Sequence, residues 1–229
     1  MSFELQVYGA AERALSRIDR LKTLLLHAST SPAAAVSTTN YSQEIRAACI
    51  IFSMAELESL VKSVLHASNE KINSRAHTTS SVKPCLRSLA GHNIFDSLQM
   101  TKDPQRMWEN RGRVTSFESS TEILNLPIVH NYAQPPLDGQ TLSPRHFIRI
   151  WNIYGLSGNW FPSVSCAMTL TKLNGTRNDL AHGNIPFSDV FSQAGLSVND
   201  IETYMDEMCW LYIHFADTFF NHIDKKGYL

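Results

Sequence analysis

The sequence predicts an all-α protein, and three observations carry that prediction. Apolar residues recur every three to four positions through most of the chain, as on one face of a helix. Helix punctuation recurs between these runs: Ser143-Pro144 at one start, Ser197 with Asp200 at another, Gly155 at an end. No stretch alternates convincingly as a half-buried strand does. With 229 residues, 43% of them apolar and 18% charged, the chain can build one sizeable core.

Taken in order, Leu15, Ile18, Leu21 and Leu25 mark a first helix near 3–28. Residues 29–42, rich in Ser, Thr, Ala and Pro, read as a connection. Asn40 followed by Gln43 signals the next start. That helix runs over about 42–72, with Ile45, Ala48, Phe52 and Ala55, then Leu57, Leu60, Val61, Val64 and Leu65, expected on its inner side. From about 73 to 143 the character changes. Ser, Thr, Pro, Asn and Gly recur, only short helices near 82–90 and 104–120 are expected, and Pro127, Pro135 and Pro136 interrupt the rest. This is too long for a simple turn, so it reads as an insertion in a single 1–229 domain. Helical pattern returns with Phe147, Ile148, Trp151 and Ile153, closed by Gly155. A further helix runs from near Pro162 to Ala181 or beyond, and a last one carries Ile201, Met205, Met208, Tyr212, Phe215 and Phe219.

The bulk numbers narrow the function. No apolar run approaches membrane-spanning length, so no membrane partner is expected. Cys49, Cys85, Cys166 and Cys209 are scattered without a Cys-x-x-Cys pair, which fits free thiols in a cytoplasmic protein. The histidines lack metal-binding spacing, so neither metal nor cofactor is expected. A net charge of −1 gives no bulk attraction to nucleic acid. Residues 71–113, however, carry a net +5, while residues 200–229 carry −4. The basic stretch reads either as a phosphate-backbone contact, with Arg106, Arg111 and Arg113 as its candidates, or as solvated surface.

Residues 177–183 read Arg-Asn-Asp-Leu-Ala-His-Gly. Asn178 and His182 stand four apart and share one helical face, with Arg177 beside them. A guanidinium grips phosphate with a planar fork of donors, and an imidazole moves protons near neutral pH. Together they suit chemistry on a phosphodiester. The same stretch also reads as an ordinary helix end, since a cation suits the dipole there and glycine often terminates helices.

Arg177-Asn178 to His182, late on an apolar helix and followed by Gly183, resembles the Arg-polar-x-x-x-His motif of HEPN ribonucleases. The segment Phe52-Ser-Met-Ala-Glu-Leu-Glu58-Ser-Leu-Val-Lys62 is similar to the second helix of the RiboL-PSP-HEPN branch. The stretch from Phe147 through Gly155 to Leu173 is similar to that branch's approach to its motif. The resemblance covers roughly 42–66 and 145–220, outside the middle insertion.

The resemblance implies a HEPN-like helical bundle that forms a homodimer, with two motifs in one cleft, and metal-independent cleavage of RNA. Catalytic roles then fall to Arg177 on phosphate oxygens, His182 as acid or base, Asn178 as an orienting group, and Glu58 as a contact of His182 or Arg177. It also implies a toxin or phage-defence role, which brings in an antitoxin or regulatory protein as partner. The alternative is a non-catalytic module of the same fold that dimerises or binds a nucleotide or a protein.

Overall fold

The computed structural model describes residues 1–30, 39–129, 134–184, 186, 189 and 196–229. Most of the connection expected over 29–42 lies outside them. The helices are α1 (Phe3–Thr30), α2 (Thr39–Asn73), α3 (Pro84–Ala90), α4 (His92–Met100), α5 (Pro104–Thr115), α6 (Pro144–Tyr154), α7 (Val164–Ala181) and α8 (Val198–Asp224). Two 3-10 turns, Thr79–Ser81 and Ser116–Glu118, join them. Among the described residues there is no strand, only an isolated bridge between Thr78 and Ile123. No described helix is long and apolar enough to cross a membrane.

Four long helices make the frame: α1, α2 and α8 pack on one another, and α7 packs against α2 and α8. The stripe expected on α8 is buried in full, from Ile201 to Phe219. Phe215 and Phe219 meet Phe147, Trp151 and Tyr154 of α6 in an aromatic cluster, with ring centroids 4.8–6.3 Å apart. Edge and tilted contacts of this kind add to area burial.

On α2 the expected inner face holds from Leu57 onward; before it, Ile45 packs against the core as expected but Phe52 and Ala55 do not. Ala47, Cys49, Ile50 and Met54 are buried, whereas Phe52 is 51% exposed and Ala55 also faces out. Apolar residues surround the helix there, so periodicity alone does not select a face. Asn40 lies inside the first turn of α2, because the helix begins at Thr39.

The region 73–143 holds more helix than its composition predicts: α4 is an additional element, and the helix expected over 104–120 ends at Thr115. Its two flanks are core. Val82, Leu86, Leu89, Leu124, Leu126, Val129, Leu137 and Leu142 are all buried in the cluster that includes the frame. Hydrogen bonds fix the returning chain to α2. Asn73 accepts from Leu126 N–H at 2.8 Å and donates to Leu126 O at 3.0 Å, while Asn69 donates to Pro127 O at 2.8 Å. The Asn69 amide oxygen in turn accepts from the buried Tyr154 hydroxyl at 2.7 Å. Farther along, the carbonyls of Thr141 and Leu142 lie on the flank of α7, where Asn174 bonds them.

Candidate functional site

The motif lies at the end of α7, and that end is built by Gly183. Its N–H donates to Leu180 O at 3.3 Å and that of Asn184 to Asp179 O at 3.0 Å, with Gly183 at φ +66°. This is a Schellman ending, which needs a left-handed residue after the cap. His182 is therefore the cap residue, and its side chain is exposed. Leu180 is buried and ties the last turn to the core. Arg177 and Asn178 are partly buried on the same turn.

Glu58 approaches from the middle of α2. Burial raises its carboxyl above the ordinary 4.5, against the opposing pull of the Arg177 charge, the Leu142 N–H that donates to it, and His146. Desolvation therefore outweighs the attraction. Of the two partners the resemblance implies for Glu58, Arg177 is the electrostatic one found.

Residues 138–143 form a strap beside these groups, which no pattern in the sequence marks. Asn174 Nδ2 donates to Leu142 O at 2.7 Å and Thr141 O at 3.2 Å. Thr141 Oγ1 donates to Asn178 Oδ1 at 3.1 Å, and an Arg177 guanidinium nitrogen donates to the same oxygen at 3.4 Å. Asn178 Nδ2 donates to Asn174 Oδ1 at 3.2 Å. At the strap's ends, His146 is 6% exposed, with Nδ1 accepting from Ser143 N–H at 3.0 Å and Nε2 3.1 Å from Asp138. Arg149 donates to the other Asp138 oxygen at 2.9 Å. Although its own burial opposes this, Arg149, the Gln140 N–H and His146 together hold the Asp138 carboxyl down to about 2. The Ser143-x-x-His146 spacing and the Asn174/Asn178 pair, four apart, are the only local signals of these bonds that the sequence carries.

Arg106, Arg111 and Arg113 are exposed on α5, a separate element. Arg111 lies 4.7 Å over the ring of Trp108, itself 65% exposed, and Arg113 borders a cavity of about 230 Å³ with Phe117 and Glu122. Among the described residues no hydrogen bond or ion pair joins α5 to α7. Nor is any group of three or more His, Cys, Asp or Glu side chains gathered as a metal set among them.

The arrangement offers a cation bonded to Asn178, a half-buried carboxyl that feels its charge, and an exposed imidazole at the helix end. The RiboL-PSP-HEPN family model matches residues 12–225, spanning the middle region as well as the flanks. Neither the comparison with curated proteins nor that with solved structures returns a match.

Proposed function

The chain belongs to the RiboL-PSP-HEPN family, and from that premise we propose that it is an endoribonuclease cutting RNA without a metal. The 2′-oxygen attacks the adjacent phosphorus, the bond to the 5′-oxygen breaks, and a 2′,3′-cyclic phosphate remains. Only RNA carries that nucleophile. One His182 takes the 2′-hydroxyl proton, and the His182 of a second copy in a homodimer gives a proton to the leaving oxygen. Arg177 binds the non-bridging oxygens as their charge builds. Glu58 and Asn178 orient Arg177. Arg106, Arg111 and Arg113 add backbone contacts.

The observation that carries this reading is the motif's layout: Arg177 donates to Asn178 and its charge acts on the Glu58 carboxyl, while His182 stands exposed at the helix end. The biological role that fits is a toxin or phage-defence effector in the cytoplasm, held in check by an antitoxin or regulatory protein. Purified protein incubated with RNA and EDTA is expected to give cyclic-phosphate ends. Loss of cutting on chelation overturns the metal-free mechanism. His182→Ala is expected to slow cleavage about 10²–10⁴-fold, and an unchanged rate overturns the assignment.

One observation favours a second reading, the non-catalytic module. Arg177 already faces a carboxylate, Glu58, so its charge has a partner within the fold. Expression in a bacterial host separates the two. Toxicity abolished by His182→Ala supports the nuclease, and toxicity that persists in the variant supports the module.

A further inference from the structure

A connected set of hydrogen bonds runs around the motif through Thr141, Arg177, Asn178, Asn174 and the Leu142 carbonyl. Two donors, the Thr141 hydroxyl and the Arg177 guanidinium, converge on one atom of the Asn178 amide. A guanidinium cannot accept a hydrogen bond, so that atom is the oxygen. The orientation of Asn178 is thereby fixed, and its Nδ2 must face Asn174 Oδ1, as observed. This sets Asn174 in turn, leaving its Nδ2 for the carbonyls of Thr141 and Leu142. Leu142 then presents its N–H to Glu58, and the charge of Arg177 acts on the same carboxyl. Each amide has one orientation compatible with all the others. Networks of this kind lose more than one bond when a member is removed.

Resting on the ribonuclease reading, we propose that Thr141 and Asn174 are positioning residues, which set the Arg177 guanidinium through Asn178 and the strap. Neither needs to touch RNA. Thr141 supplies the one hydroxyl that couples the strap to the motif. Asn174 supplies the two bonds that keep the strap's backbone alongside α7. The Asp138–His146 pair secures the strap's ends.

Thr141→Val keeps the side chain's shape and removes only the donor, while Thr141→Ser keeps the donor. Thr141→Val is expected to lower kcat about tenfold with KM changed by less than about threefold, because the guanidinium is misaligned at the transition state rather than lost. Thr141→Ser is expected to restore the rate. A second readout needs no catalysis. The side-chain N–H signals of Arg177, assigned by their loss in Arg177→Lys, are expected to be rigid in the wild type and averaged in Thr141→Val and Asn174→Ala. A wild-type kcat in Thr141→Val, or Arg177 signals equally rigid in both, overturns the inference and leaves the nuclease reading standing. Wild-type protein that cuts no RNA overturns the nuclease reading, and positioning for catalysis with it.

Discussion

Helices α8 and α5 differ in how they are held. Nine residues of α8 are buried, six of them in the stripe that its periodicity marks. On α5 one residue is buried, Asn110, whose amide donates to Ser97 of α4 at 2.9 Å. The first helix exists because its face is needed by the core. The second is held by its Asp103 cap, by Pro104 in its first turn and by packing on α4, and it leaves Trp108 and three arginines facing solvent. Burial and exposure, not position in the chain, separate core from solvent-facing surface, and the boundary runs through the middle of the 73–143 region.

The sharpest way to break that comparison is to substitute on both sides of the boundary. Leu126→Ala removes a buried side chain from the returning chain and is expected to cost about 2–5 kcal/mol in denaturant unfolding. Trp108→Ala on α5 is expected to cost about 0.5 kcal/mol or less. Equal costs would mean that the region is one structural unit after all.

Acidification probes the fold through two titratable groups with shifted pKa values, His222 and Asp138. Burial, aided by the charge of Lys83, depresses His222 from 6.5 to about 4. The unfolded chain therefore binds a proton that the fold refuses, and stability falls as pH drops from 6.5 towards about 4. Asp138 has the opposite arrangement: its depressed carboxyl stabilises the fold above 3.8, and that contribution is lost as pH falls towards about 2. Thermal unfolding against pH is expected to show the upper slope in the wild type and to lose it in His222→Gln.

Glu58→Gln is expected to separate function from stability. Burial raises the folded carboxyl above the ordinary 4.5, so ionising Glu58 costs the fold more than it costs the unfolded chain. The variant is expected to keep or raise its melting temperature while cleavage falls about tenfold. The acid limb of the wild-type rate profile is expected above pH 4.5. A variant that melts earlier at an unchanged rate would make Glu58 a purely structural acid.

The smallest expected effect concerns α5. Reversing Arg106, Arg111 and Arg113 should weaken RNA binding and flatten its dependence on log salt by about 2, at roughly 0.7 for each single-strand phosphate no longer neutralised. An unmoved slope would mark these arginines as solvated surface.

Legibility from sequence follows the same boundary. The α8 stripe is readable because its apolar residues keep one period, and the start of α2 is not, because apolar residues surround it. Leu124, Leu126, Leu137 and Leu142 are core residues on non-helical chain, where no period announces burial. At the site, Arg177, Asn178 and His182 are legible as a local spacing. Thr141 is not, because it reaches the motif only through a fold that returns residues 138–143 to α7.

Gly183 has a consequence for how the motif could drift. At φ +66° it tolerates a side chain poorly, although nothing crowds it. Were that stop signal moved one residue along, the imidazole would join the helical wall rather than crown it, and its successor would leave the axis about 100° away. The direction in which that imidazole points is thus dictated by a neighbour with no side chain at all. A collection of homologous chains could be sorted by that neighbour before any of them is assayed.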